Sequence, residues 1–279
     1  MSSRSLIQTF TLVAAALYFA AAIAFFFGFA PATSTWPWPE PAMSYIFLAS
    51  IAMAVVAPLV WIGITAEFAA LAPLSLNVLV VHVGAFVFLA TRIASGERHL
   101  AVATVIVLLQ AIAALLLLRW SRRIPIRDPR PTPSIVRWAF VAFTAALLIV
   151  GTALVLQRPQ IFPWNLAPAT STTFGLLFFG ASTYFAYGAL RPQWAFAAGQ
   201  LWGFLAYDVV LFIPYARMLL AGPGALDEYG YGGAGNAVNM PSLVVYLSVL
   251  AASALLALYV FAVDRRTRIF GDQLVARSR

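Results

Sequence analysis

The chain has 279 residues, of which 63% are hydrophobic and 9% charged, with mean hydropathy +0.91, net charge +8 and no cysteine. A water-soluble domain is about 45–50% apolar and about 25% charged, so this composition excludes a soluble protein and makes a lipid bilayer its solvent. The absence of thiols excludes disulfides, cysteine-ligated zinc, iron–sulfur clusters and thiol catalysis.

At about 20 apolar residues per crossing helix, the length accommodates about eight spans. Eight apolar runs are present, at about 6–30, 43–64, 69–91, 100–119, 135–156, 172–190, 195–218 and 241–263. Backbone groups cannot go unpaired in hydrocarbon, and no alternating pattern is present, so these runs predict helices rather than barrel strands. The expected fold class is therefore an all-α integral membrane protein with about eight transmembrane helices. The first run is too long for the apolar region of a signal peptide and reads as a retained helix. Between the second and third runs the only break is Thr65-Ala66-Glu67-Phe68, which predicts a tight turn at Glu67.

The arginines orient the chain. All 17 basic residues are arginine. With eight crossings, only Arg92, Arg98, Arg158 and Arg217 fall on one side; the other thirteen fall on the side of both termini. This asymmetry predicts cytoplasmic termini in the cell inner (plasma) membrane. It also accounts for the basic charge without nucleic acid as a partner. Trp36, Trp38 and Trp164 fall at the outer ends of spans, and Trp61, Trp120, Trp138 and Trp194 at the inner ends, as an interfacial aromatic belt requires.

The chain reads as written twice. Trp36-Pro37-Trp38 precedes the second run, and Phe162-Pro163-Trp164 precedes the sixth, 126 positions later. The expected organisation is a four-helix repeat over 1–120, a Pro/Arg-rich cytoplasmic linker over 121–134, a second four-helix repeat over 135–263, and a basic tail over 264–279. An even number of crossings per copy makes the repeats parallel, with a pseudo-twofold axis along the membrane normal. The copies differ in the loop before the eighth span. That loop carries Asp227, Glu228 and Tyr229 and reads either as an external lid or docking loop, or as a tolerated insertion.

Ionisable groups at membrane depth are costly and mark function by default. Asp208 is the one carboxylate well inside a span, and the position 126 residues earlier is His82, the one histidine inside a span. Facing each other across a twofold axis, these two would share or relay a proton. Tyr207, beside Asp208, is a further candidate of the same pathway, and against this reading stands interhelical hydrogen bonding alone. Asn77, Gln110 and Gln200 are further midspan amides, of a kind that also serves simply to join helices. Gly199 and Gly203 form a small-xxx-small step that permits close helix approach. Thr170 to Thr173 is a run of hydroxyls expected to cap the start of the sixth helix.

No lysine is available for Schiff-base chemistry or a Walker A loop. Two histidines cannot serve two haems or a three-histidine metal site, and no cofactor or metal is expected. Three function classes remain. One is a permease-like protein for a small, weakly polar or uncharged solute, with proton coupling through Asp208 and His82. Another is a non-catalytic accessory subunit of a larger membrane complex, favoured by the scarcity of polar residues. The third is an intramembrane lipid-modifying enzyme, for which no convergent catalytic set is visible. The expected partners are the bilayer and, on the second reading, other membrane subunits.

Overall fold

The computed structural model describes residues 3–222, 238–264 and 267. These contain nine α-helices: α1 (Ser3–Phe26), α2 (Ala30–Thr33), α3 (Ala42–Thr65), α4 (Leu71–Ala94), α5 (Ala101–Ser121), α6 (Ser134–Val155), α7 (Pro168–Leu190), α8 (Trp194–Ala221) and α9 (Met240–Leu258). No strand occurs among the described residues. All but α2 belong to eight helical stretches long and apolar enough to cross a membrane, consistent with a polytopic membrane protein.

Two span boundaries differ from the sequence expectation by four residues, and the others by three or fewer. The first helix stops at Phe26 rather than near residue 30, because Gly28 adopts φ +63° and turns the chain into the short α2. The sixth span begins at Pro168 rather than at residue 172. Proline lacks the amide hydrogen that a first-turn residue cannot use within its helix, so Pro168 starts α7 at no loss. The turn at Glu67 is as expected: α3 ends at Thr65, Ala66 adopts φ 54°, and a single 3-10 turn over Phe68–Ala70 leads into α4.

The helices pack in two groups that do not follow chain order. In one, α1 lies on α3, α3 on α8, and α8 on α9; in the other, α5 lies on α4, α4 on α7, and α7 on α6. A lighter α7–α8 contact joins them. Between the groups, an aromatic core brings the Phe47 ring to 4.5 Å from Phe174 and 5.0 Å from Phe162.

The 121–134 segment is folded down as a strap. Glu67, only 2% exposed, accepts hydrogen bonds from the backbone amides of Arg127 (3.0 Å) and Asp128 (2.8 Å). The Arg127 guanidinium donates to the Thr65 carbonyl at 2.5 Å. Farther along, the Trp194 amide donates to the Arg130 carbonyl (2.7 Å), and the Thr132 amide to the Pro192 carbonyl (2.8 Å). The strap thus ties the α3–α4 turn to the α7–α8 turn.

Candidate functional site

Asp208 lies in the middle of α8, 4% exposed, and faces α9. The Ser253 hydroxyl, 1% exposed, lies 3.0 Å and 2.9 Å from the two carboxyl oxygens. It also lies 3.0 Å from each of the Val249 and Leu250 carbonyls. A hydroxyl has a single proton and here has two classes of acceptor. With the carboxyl protonated, Asp208 donates to Ser253, and Ser253 donates onward to the α9 backbone. With the carboxylate ionised, the hydroxyl must turn to it and release the backbone.

One residue earlier on α8, the Tyr207 hydroxyl is hydrogen-bonded to that of Tyr246 on α9. Tyr215, completely buried, packs edge-on to Tyr246 at 5.2 Å, and its hydroxyl has no partner among the described residues. The α8–α9 seam therefore carries an acid, a serine and three tyrosines, roofed by Phe162 and Trp164. Ser253, Tyr215 and Tyr246 were not visible as candidates in the sequence: hydroxyls in apolar helices are common, and no spacing rule connects them to Asp208.

The other sequence candidates lie elsewhere. His82 is half-buried on α4, and its Nδ1 is 2.7 Å from the Val78 carbonyl one turn earlier. Helix α4 packs on α5 and α7, whereas Asp208 bonds to α9, so the structure does not bring the acid and the imidazole together. Asn77 is half-buried at the α4–α7 contact: a Cβ on Gly180 would fall 2.4 Å from its side-chain oxygen. Gln200 is half-buried on α8, two turns before Asp208, and Gln110 is exposed in the middle of α5. Gly199 and Gly203 sit against α3. A Cβ on Gly203 would lie 2.8 Å from the Ala54 carbonyl, which Pro58 leaves without its usual helical donor. Asp227, Glu228 and Tyr229 lie outside the described residues.

A second polar cluster sits at the end of the bundle opposite the strap. The Trp164 indole donates to the Ser44 hydroxyl (3.0 Å), and Ser44 donates to Glu40 (2.8 Å). The Trp36 indole donates to the Thr170 hydroxyl (3.2 Å), which also bonds Glu40. The Ala167 amide donates to Glu40 as well, at 3.3 Å. Burial pushes the Glu40 carboxyl above its ordinary value, and these hydrogen bonds oppose the shift. Thr170 to Thr173 do not cap α7, because the helix has already begun at Pro168. Thr172 and Thr173 bond back to the carbonyls of Pro168 and Ala169, and Ser171 reaches the Leu154 carbonyl on α6 at 2.8 Å. The sequence carried no signal for Glu40, which reads as a charged loop residue between two spans.

Among the described residues, no group of three His, Asp or Glu side chains is placed to hold a metal ion. Comparison with protein-family models, curated proteins and solved structures finds no significant match to this chain.

Proposed function

We propose that the chain is a permease-like membrane protein for a small, weakly polar or uncharged solute, with Asp208 as its proton-carrying group. The observation that carries this reading is the Asp208–Ser253 pair, whose single hydroxyl proton links the charge on α8 to the backbone of α9. Gain or loss of a proton re-directs that bond, so protonation biases how two helices engage. His82 has no part in this pair and stands as a separate, weaker candidate on α4.

The two-repeat organisation over 1–120 and 135–263 belongs to the same proposal. Its support is the exchange of packing pairs when the halves are swapped: α1–α3 becomes α6–α7, α4–α5 becomes α8–α9, and α3–α8 becomes α7–α4. Support at residue level comes from the tightest approaches. Gly203 meets Ala54, and Asn77 meets Gly180; Ala54 and Gly180 are 126 positions apart, as are Asn77 and Gly203. Central sites at the interface of repeats are where transporters of this kind bind. The arginine asymmetry supports cytoplasmic termini and a cytoplasmic strap, in an inner (plasma) membrane.

The test is solute-driven proton uptake in proteoliposomes, read with an entrapped pH dye over a panel of small neutral solutes. A solute that moves protons through the wild type and not through Asp208→Asn supports the proposal. Equal proton movement through both overturns it.

A second reading, an accessory subunit of a larger complex, is favoured by Gln110. This amide is exposed at the midpoint of α5, where lipid offers it no hydrogen-bond partner. A neighbouring subunit would supply one. A native-membrane pull-down that recovers a stable partner from wild type and loses it with Gln110→Leu would favour this reading over the first.

A further inference from the structure

A cavity whose lining does not include Asp208 opens sideways between α1, α3 and α8. It has a volume of about 740 Å³, within the range of about 300–1,000 Å³ typical of ligand sites. Its shape follows from how α1 is held. At the strap end, Gln8 donates to the Gly63 carbonyl (3.0 Å), and Leu12 fills the space left by the missing Cβ of Gly63. At the opposite end α1 stops at Phe26, and the helices part.

Side-chain size at two places distinguishes this open groove from its counterpart in the other half. Its walls include Ala49 on α3 and Val210 on α8. The residues 126 positions from these are Gly175 and Gly84. There the helices are shut against one another: a Cβ on Gly175 would lie 2.7 Å from the Gly151 carbonyl, and one on Gly84 would lie 2.7 Å from Leu176. The half with glycines is closed, and the half with alanine and valine is open.

The lining is apolar apart from Thr33, Tyr45 and Arg217, the last about one turn from the end of α8. Arg217 is exposed and has no hydrogen bond or ion pair among the described residues. An apolar trough at membrane depth beneath one unpaired guanidinium fits an amphiphile with an acyl chain and an anionic head. Guanidinium binds phosphate oxygens in a two-pronged fashion. A choline head would bring a cation beside the arginine and weaken the match.

We propose that this groove is a specific site for one anionic phospholipid, its acyl chain lying between α1, α3 and α8 and its phosphate on Arg217. The site is independent of proton transfer at Asp208. It is tested by native mass spectrometry of the full chain after equilibration with equimolar phosphatidylglycerol and phosphatidylcholine. Wild type retains one phosphatidylglycerol with about tenfold preference, as one charge-assisted contact implies. Arg217→Gln retains lipid without headgroup preference. Ile213→Trp, which fills the groove from a side chain already 62% exposed, retains neither lipid. Arg217→Gln with an unaltered preference overturns the headgroup assignment. Ile213→Trp with undiminished binding overturns the groove as the site and marks the lipid as annular only.

Discussion

Ser253 on α9 places its hydroxyl within 3.0 Å of both carboxyl oxygens of Asp208 on α8. The two residues are 45 positions apart, and each is nearly completely buried. Removing Ser253 leaves the Asp208 carboxyl without its hydrogen-bond partner in an apolar interior, and that loss costs more than the bond itself contributes. Ser253→Ala is expected to lower stability by about 1–3 kcal/mol. Asp208→Asn keeps an acceptor for Ser253 and is expected to stay within about 1 kcal/mol of wild type. Thermal unfolding in detergent separates the two. Equal losses would contradict the pairing.

Glu40 governs a pH dependence. Burial is the larger influence on its carboxyl and raises it, against the hydrogen bonds from Thr170, Ser44 and the Ala167 amide. The folded protein therefore holds this proton more tightly than the unfolded chain. Its contribution is complete below the ordinary glutamate value of about 4.3 and is lost as pH rises through the raised one. Melting temperature is expected to fall as pH rises through that window. Glu40→Gln, neutral throughout, is expected to flatten the fall, and an unchanged slope in the variant would assign it to another group.

Glycine substitutions discriminate rigid contacts from yielding ones. A Cβ at Gly203 meets the Ala54 carbonyl at 2.8 Å, and one at Gly175 meets the Gly151 carbonyl at 2.7 Å. Backbone cannot step aside, so Gly203→Ala and Gly175→Ala are each expected to cost about 1–3 kcal/mol. At Gly63 the nearest atoms belong to the end of the Leu12 side chain, which is 40% exposed and free to turn toward lipid. Gly63→Ala is expected to be close to neutral in the same unfolding assay.

The strap over 121–134 depends on one carboxylate. Glu67→Ala removes the acceptor of the Arg127 and Asp128 amides, with an expected cost of about 1.5–3 kcal/mol for charge-assisted bonds. Limited proteolysis is the direct measurement: the variant should be cut faster between residues 121 and 134. Cleavage at the wild-type rate would mean that the contacts at Arg130 and Thr132 suffice.

The sites of labelling decide the orientation. Ser34 and Arg123 are both exposed, at opposite ends of the bundle. In the cysteine-free background, Ser34→Cys is expected to react with an impermeant reagent from outside intact cells, and Arg123→Cys only after lysis. Reaction of both from one side would remove the eight-crossing topology.

The number of spans, their approximate limits, the Glu67 turn and the arginine asymmetry were all legible in the sequence. Each is a consequence of one-dimensional physics: hydrocarbon admits apolar helices of a set length, and charge stays at their ends. The 126-residue interval is likewise a reading of the sequence, and the two-repeat organisation proposed above rests on it. Composition also singled out Asp208, because a buried carboxyl is rare in lipid whatever surrounds it.

Its partner was another matter. The register places His82 opposite Asp208, yet α4 packs on α5 and α7 while Asp208 turns to Ser253 on α9. Which helix faces which depends on small differences in close packing, at places such as Gly203 on Ala54 or Gly175 on Gly151. A hydropathy pattern that is apolar on nearly every side of a helix carries no record of those differences. Glu40 collecting Ser44 and Thr170, the strap closed by Glu67, and the groove left open beside Ala49 were likewise decided by tertiary structure alone. Each joins residues far apart in the chain, and only packed backbones bring them within hydrogen-bond or van der Waals reach.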